Sequence, residues 1–498
     1  MEAIVKRFKE QLEQLRVYDH AMGILYYDME TVMPKGAFAL AGDTLGALSE
    51  VSYKLRTDET FVSDMQAILA NPDQVDPITL CEAKRMNEDR ERIACIPIEE
   101  YVAYQVESTA AFSAWQEAKA KNEFALFLPH LEKLIDYTRR FALYYKPDAP
   151  VYDTLLDEYE KGLTTEMLDG FFRDVRSALV PLIDRIRKNG YQPDTSFLEQ
   201  RYPIEKQREL TKTLMQVMCM DPDHSTCGEV EHPFTTNFTK ADVRITTHYY
   251  EDAVQSSMYS VIHEAGHATY ELNVDDEIAR SPLGTGVSMG VHESQSRFFE
   301  NIIGRSEPFI EAVYPKLTEL FPEQLKGVSA HAFYLAVNKA EPSLIRTEAD
   351  ELTYSLHIMV RYELEKQLIA GTLKAADLPK AWNAMYREYL GIDVPNDTMG
   401  VLQDSHWSGG SFGYFPSYAI GSAYGAQLLK RMERDLDVWG LAKAGNLAPI
   451  IAWLKERIYQ YGCRLDPKEL MEQAFEAPFD PNYYIEYLTE KFTELYRL

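Results

Sequence analysis

The stretch 256–273 of this 498-residue chain reads SSMYSVIHEAGHATYELN, and its apolar residues recur at threes and fours. That periodicity predicts a helix. His263 and His267 are four residues apart, so they share one face of the helix, with Cβ atoms about 5–6 Å apart. Glu264 points beside them. Two imidazoles with this intervening carboxylate form the pattern HExxH, in which the histidines bind zinc and the glutamate is a general base.

A catalytic zinc needs a third protein ligand and an open position. Residues 286–303, GVSMGVHESQSRFFENII, predict a further helix that carries His292 and Glu293. Glu293 follows the first helix at a distance that allows an antiparallel return, and its apolar neighbours favour an inward setting. His292 is the competing ligand, since adjacent helical residues point about 100° apart and one of them reaches the metal. Gly266 is expected to let a substrate backbone approach the metal.

Helical periodicity dominates the rest of the chain. The predicted helices cover 4–30, 98–125, 126–145, 165–190 and 203–220, and resume near 251, 289, 308, 330 and 347. The exception is 232–250, HPFTTNFTKADVRITTHYY, whose β-prone residues around a polar turn predict a small hairpin. Turn residues predict an ordered loop over 393–417. We therefore predict a mostly α fold, a large helical body with a small sheet beside the HExxH helix.

No shift in composition marks a domain boundary, so we predict a single domain over 1–498. A division into two lobes, about 1–230 and 231–498, is left open. The net charge of −27 disfavours binding to nucleic acids and to anionic membrane surfaces. The five cysteines form no CxxC pair, and neither a signal peptide nor a transmembrane stretch is visible. These features predict a soluble cytoplasmic protein with reduced thiols.

The chemistry expected of the HExxH pattern is peptide-bond hydrolysis. Zinc lowers the pKa of its water to about 7, and Glu264 would take the proton and pass it to the leaving amine. The oxyanion needs a second electrophile. The loop 403–418, QDSHWSGGSFGYFPSY, offers His406 and Tyr418 for this role, with Tyr414 nearby. The alternative for the tyrosines is aromatic packing.

Five motifs in order carry a resemblance to a known family: DVRIT at 242–246, HEAGH at 263–267, HESQ at 292–295, IRTEAD at 345–350 and GVLQDSHW at 400–407. The chain resembles the thermostable zinc carboxypeptidases of the Taq type, the M32 metallocarboxypeptidases. The resemblance implies a helical gluzincin fold with a deep active-site cleft, and homodimers. It also implies a functional set in which His263, His267 and Glu293 are the zinc ligands and Glu264 is the base.

Removal of one C-terminal residue requires a fixed cation for the α-carboxylate, for which a planar arginine fork is best suited. Arg346 in IRTEAD is the first choice, and Arg244 in DVRIT is the second. The alternative for Arg244 is a strand-stabilising pair with Asp242, and for Arg346 an exposed ion pair at a helix end. Asp350 and Asp404 are candidates to orient ligand or clamp side chains.

The sequence thus predicts a zinc metallocarboxypeptidase that releases single C-terminal residues from peptides with a free C-terminus. One Zn²⁺ per chain is expected, and another divalent ion such as Co²⁺ would suit the same ligands. The first alternative is an oligopeptidase or dipeptidyl carboxypeptidase on a similar helical fold, which HESQ, IRTEAD and GVLQDSHW disfavour. The second is a non-catalytic scaffold with a structural metal. Glu264 speaks against it, because a closed structural site has no use for a free carboxylate.

Overall fold

Twenty α-helices and one three-stranded sheet make up the computed structural model, which describes residues 1–498. The first nine helices are α1 Glu2–Thr31, α2 Phe38–Arg56, α3 Glu59–Leu69, α4 Pro77–Ala94, α5 Ile98–Lys121, α6 Leu128–Tyr145, α7 Val151–Tyr159, α8 Thr165–Asn189 and α9 Ile204–Val217. The others are α10 Val254–Leu272, α11 Met289–Arg297, α12 Glu307–Leu320, α13 Ala330–Val337, α14 Glu351–Ala370, α15 Leu378–Tyr389, α16 Pro416–Met432, α17 Val438–Lys443, α18 Ala448–Arg457, α19 Pro467–Phe475 and α20 Asn482–Leu495. The mostly α fold is confirmed.

Side-chain caps define where several of these helices begin. Ser288 accepts a hydrogen bond from the backbone N–H of Val291 at the start of α11, and Asp350 accepts one from Thr353 at the start of α14. Each satisfies a backbone donor that has no partner within the helix. A π-helical segment, Phe298–Ile303, continues α11. Between α15 and α16 the predicted ordered loop contains only a short 3-10 turn, His406–Gly409.

The small sheet consists of β1 Ser225–Glu229, β2 Thr235–Thr239 and β3 Asp242–Thr247, in the order β1-β3-β2. Strands β2 and β3 form an antiparallel hairpin, as predicted for 232–250. Strand β1 pairs with β3 in parallel. The sequence did not predict β1, because STCGE is short and carries no alternation of apolar and polar residues.

One hydrophobic core runs from Ala111 to Tyr496 and includes residues on both sides of position 230. A smaller core joins α1, α3 and α4 through Phe8, Phe61, Ala83 and their neighbours. The division into two lobes near residue 230 stays a prediction. No helix has both the length and the apolar character that crossing a bilayer requires.

Helices α10 and α11 approach each other closely at Gly266. A Cβ atom at Gly266 would lie 2.6 Å from the Cα of Ser296 and 2.8 Å from the carbonyl oxygen of Gln295, both in the backbone of α11. The expectation that Gly266 opens space for a substrate was therefore wrong. Its missing side chain lets the helix of the HExxH motif contact the helix that carries Glu293. Gly421 of α16 packs in the same way on the other side, against Cβ and Cγ of Glu293.

Candidate metal centre and active site

The two predicted histidines and Glu293 converge on one point between α10 and α11. Oε2 of Glu293 lies 3.6 Å from Nε2 of His267 and 3.9 Å from Nε2 of His263. The three ligand atoms all lie within 4.8 Å of one another. The two imidazoles are partly exposed, with 19% and 18% of their side-chain surface accessible. The sequence motifs therefore meet at a site that solvent reaches.

This donor set fits a tetrahedral metal ion. Zn–N and Zn–O bonds of about 2.0–2.2 Å at tetrahedral angles separate ligand atoms by roughly 3.4 Å, close to the 3.6 and 3.9 Å between Oε2 of Glu293 and the two imidazole nitrogens. Two neutral nitrogens and one carboxylate are also the ligand chemistry of catalytic zinc. The two oxygens of Glu293 have different partners. Oε1 accepts a 2.7 Å hydrogen bond from Nε of Arg297, and Oε2 faces the histidines.

Hydrogen bonds behind the imidazoles orient both rings. Nδ1 of His263 lies 2.8 Å from Oε2 of Glu300, which leaves its Nε2 for the metal. Burial opposes ionisation of Glu300, but the charge of Arg297 and the hydrogen bond from His263 outweigh it and lower the pKa of Glu300. Nδ1 of His267 lies 2.7 Å from Nδ1 of His292. His292, the competing ligand in the sequence prediction, thus lies behind His267 and outside the group of three ligand atoms.

Glu264 is buried beside the histidines and is held by strand β2. Oγ1 of Thr235 donates a 2.6 Å hydrogen bond to its Oε2 and also contacts its carbonyl oxygen at 2.9 Å. Burial raises the pKa of Glu264, because a carboxylate loses hydration there. A carboxylate with a raised pKa is a stronger base than an exposed one, which suits proton abstraction near neutral pH.

Arg346 is buried in a cluster of charges close to this centre. Its Nε donates to Oδ1 of Asp404 at 2.9 Å, and its Nη1 donates to the hydroxyl of Tyr354 at 3.1 Å. Arg361 contacts the other oxygen of Asp404 at 2.5 Å. The guanidinium of Arg297 stacks over the Tyr354 ring at 4.2 Å, so one tyrosine and one arginine connect Arg346 to Glu293.

The charges of this cluster do not cancel. One carboxylate, Asp404, is shared by two guanidinium groups, and their charges lower its pKa although burial opposes this. A buried excess cation is costly unless an anion completes it. Arg346 uses three of its five N–H groups on Asp404 and Tyr354, so two stay free for a ligand. The exposed helix-end pair that was the alternative for Arg346 does not form, because the side chain is buried.

The positive charge of Arg244 is balanced by a single neighbouring carboxylate. Its Nε and Nη2 donate to the two oxygens of Asp242 at 2.8 and 2.7 Å, which is the strand pair considered from the sequence. The guanidinium also stacks between the rings of Tyr27 and Phe238, at 4.9 and 4.8 Å. One arginine and one carboxylate leave no excess charge, so this fork offers less to an incoming carboxylate than Arg346 does.

His406 and Tyr418 lie together next to Arg346. Nε2 of His406 is 3.1 Å from the Tyr418 hydroxyl, and the guanidinium of Arg346 lies 4.8 Å from the Tyr418 ring. Burial lowers the pKa of His406 to about 4 and raises that of Tyr418, so both side chains are neutral at pH 7. Tyr418 is three residues before Gly421, which touches Glu293, and therefore lies on the side of α16 that faces Glu293. Tyr414 packs on Tyr418 at 5.2 Å between ring centroids.

Several residues of this site were missed from the sequence. Arg297 and Glu300 lie four and seven residues after Glu293, a helical spacing that places them on the ligand face and could have identified them. Thr235, Tyr354 and Arg361 gave no such signal. They come from distant elements, and only the packing of β2 on α10 and of the 345–350 segment on the 400–407 loop brings them to the site.

Known proteins confirm the resemblance drawn from the motifs. The family model described as carboxypeptidase Taq (M32) metallopeptidase matches residues 7–492. Carboxypeptidase 1 of Bacillus subtilis is 38% identical over 494 residues, 99% of each chain, and thermostable carboxypeptidase 1 of Thermus thermophilus is 37% identical over 94% of each. The crystal structure of the M32 carboxypeptidase from Deinococcus radiodurans R1 superposes with a TM-score of 0.96 at 34% identity, over 100% of both chains. This chain therefore belongs to the carboxypeptidase Taq (M32) family of metallopeptidases and is a metallocarboxypeptidase.

Proposed function

We propose that the chain is a zinc-dependent carboxypeptidase that releases single C-terminal amino acids from peptides, with Glu264 as its general base. His263, His267 and Glu293 would hold the metal, and another divalent ion such as Co²⁺ fits the same donors. When bound, the metal supplies a Lewis acid that polarises a carbonyl and lowers the pKa of water to about 7. The observation that carries the proposal is the buried excess cation at Arg346, connected to Glu293 through Tyr354 and Arg297.

Arg346 would bind the α-carboxylate of the substrate. Its two free N–H groups match the two oxygens of a carboxylate, and Asp404 holds the guanidinium in one orientation before the substrate arrives. The substrate's negative charge would also balance the second guanidinium of the cluster, that of Arg361. A clamp of this kind requires a free C-terminus, and it places the last peptide bond, rather than an internal one, beside Glu264.

Glu264 and Tyr418 would manage charge and protons during hydrolysis. Glu264 accepts a proton at its carboxylate and returns it to the amine of the released amino acid. Tyr418 would donate its O–H to the oxyanion. For this the Nε2–H of His406 must donate to the tyrosine oxygen, which agrees with a neutral His406 whose buried Nδ1 has no hydrogen-bond partner.

Mass spectrometry of one peptide, with free and with amidated C-termini, tests this function on the zinc-loaded protein. Stepwise loss of single residues from the free form alone is expected, because only that form offers a carboxylate to Arg346. Internal cuts in both forms would instead indicate an oligopeptidase, and release of residue pairs a dipeptidyl carboxypeptidase. An unchanged peptide in both samples would favour the structural-metal scaffold.

Substitution of the two arginines identifies the clamp. Arg346→Lys keeps a positive charge beside Asp404, but a lysine cannot bind a carboxylate through two parallel hydrogen bonds. We expect a loss of about 10- to 100-fold in kcat/KM, mostly through KM, because a charge-assisted hydrogen bond contributes about 1.5–3 kcal/mol. The matched control is Arg244→Lys, for which kcat/KM should stay near that of the wild type. The reverse pattern would assign the clamp to Arg244.

Assembly and location stay predictions. The resemblance predicts a homodimer, which light scattering of the purified protein would test. The cytoplasmic location likewise stays a prediction made from the sequence, which fractionation of cells that produce the protein would test. Neither one is needed for the chemistry proposed above.

A further inference from the structure

The back of His267 makes an unusual contact, since another imidazole takes the place of the carboxylate or carbonyl that commonly orients a metal-binding histidine. Nδ1 of His267 lies 2.7 Å from Nδ1 of His292. If Nε2 of His267 binds the metal, its proton is on Nδ1, and it donates to His292. Nδ1 of His292 must then carry a lone pair. The remaining proton of His292 is consequently on Nε2.

That Nε2–H has a single partner, the buried carboxylate of Glu271. The distance from Nε2 of His292 to Oε1 of Glu271 is 2.7 Å. Thr285 Oγ1 and the backbone N–H of Gly286 donate to the same oxygen, each at 3.0 Å, and Asn237 Nδ2 donates to Oε2 at 2.6 Å. Four donors converge on Glu271, and no acceptor does. A carboxylate oxygen surrounded by donors can only accept from His292, so the Nε2 of His292 must present its proton to Glu271.

The ring of His292 has little freedom to turn away from this arrangement. A Cβ atom at Gly286 would lie 2.5 Å from Cδ2 of His292, so the glycine lies close against the imidazole and no larger residue fits there. The Tyr270 ring packs on the imidazole at a centroid distance of 5.3 Å. Contacts with Gly286 and Tyr270 therefore confine the ring, and its two nitrogens point to Glu271 and to His267.

The two histidine ligands are thus oriented differently. His263 contacts a carboxylate, Glu300, directly, whereas His267 reaches one only through a neutral imidazole. We infer that Glu271 and His292 form a relay that positions His267 by fixing the tautomer in which its Nε2 faces the metal. The inference rests on the metal site of the proposed function and adds two positioning residues to it.

Strand β2 connects this relay to the general base. Thr235 and Asn237 are two residues apart, so their side chains leave the same face of the strand. Thr235 donates to Glu264, and Asn237 donates to Glu271, seven residues further along α10. Residues seven apart on a helix lie on one face after two turns. One strand therefore holds both the base and the far end of the relay.

The test is the rate at which zinc leaves the loaded protein in excess chelator. His292→Phe keeps a ring in the space but removes both nitrogens, so zinc should dissociate about 10- to 100-fold faster, as for other residues that orient metal ligands. Glu271→Gln keeps an acceptor and loses only the charge, so its rate should lie between those of the wild type and His292→Phe. The matched control, His331→Phe, changes an exposed histidine and should release zinc at the wild-type rate.

A second readout is proton NMR of the Co²⁺-loaded protein. Each metal-bound imidazole has an exchangeable Nδ1–H whose resonance the ion shifts far from the others. Both signals should be present in the wild type. In His292→Phe the signal of His267 should be lost to rapid exchange with water, whereas that of His263, bonded to Glu300, should persist. A merely structural role of His292 would leave this selectivity unexplained.

The relay would be overturned if His292→Phe or Glu271→Gln released zinc at the wild-type rate and kept both Nδ1–H signals. If His292→Phe does not fold, as judged by circular dichroism, Glu271→Gln decides the question alone. Failure of the proposed metal site gives a different result. The His263→Ala variant would then lose zinc at the same rate as the wild type. If His263→Ala loses zinc quickly but His292→Phe and Glu271→Gln keep it as the wild type does, only the relay is refuted, and the proposed metal site stands.

Discussion

Replacement of Glu264 by glutamine is expected to reduce kcat by about 10²- to 10⁴-fold, the usual contribution of a general base. Glutamine has nearly the same volume, and its amide oxygen can still accept the hydrogen bond from Thr235. What it lacks is a site that takes up a proton. The metal ligands are untouched, so zinc content and the unfolding temperature should stay those of the wild type. Single-turnover rates on a peptide with a free C-terminus, beside metal analysis of the same sample, measure both quantities.

The control for this substitution is Glu205→Gln, which removes one negative charge from an exposed position of α9. It should leave kcat unchanged. If Glu264→Gln retains its zinc and still turns over within a few-fold of the wild type, the proton acceptor is another group. If it loses its zinc, Glu264 contributes to holding the metal, and the assignment of three ligands is incomplete.

Gly266→Ala is the second substitution with a large expected effect. The new methyl group would lie 2.6 Å from the Cα of Ser296, and backbone cannot swing aside as a flexible side chain would. Helix α11 must therefore move away from α10, at a cost of about 1–3 kcal/mol in the free energy of unfolding. Glu293 moves with α11 and separates from the two imidazoles. A shift of about 1 Å can cost roughly 10²-fold in rate, and zinc affinity should fall as well.

A matched control isolates this steric effect. Gly46 lies within α2, and a Cβ atom there would meet nothing within 4 Å. Gly46→Ala should keep wild-type activity and zinc affinity and stabilise the protein by up to about 1 kcal/mol, because alanine favours the helix. Urea unfolding, zinc titration and kcat/KM of both variants provide the comparison. Wild-type zinc affinity in Gly266→Ala would show that close approach of α10 and α11 is not required for the metal centre.

The two arginines show how far sequence patterns reach. Both stand in family motifs and both have carboxylates nearby in the sequence, so residue types alone ranked them without deciding between them. In the structure the two arginines differ in how far neighbouring carboxylates neutralise their charge. Asp242 neutralises Arg244 within one strand, whereas Asp404, 58 residues after Arg346, is shared with Arg361. No local pattern reveals that one carboxylate serves two guanidinium groups.

By itself the sequence determined the fold class, the helix of the HExxH motif and the placing of His263, Glu264 and His267 together on it, whereas Glu293 was preferred to His292 through the family resemblance; the structure brings His263, His267 and Glu293 to one place. These follow from local rules, because helical periodicity sets which residues share a face. Only the tertiary structure decided that Gly266 serves helix packing, that His292 lies behind a ligand, and that Arg346 belongs to a cluster with excess positive charge. Each of these depends on contacts between elements distant in the chain, and such contacts are set by the packing of the whole molecule.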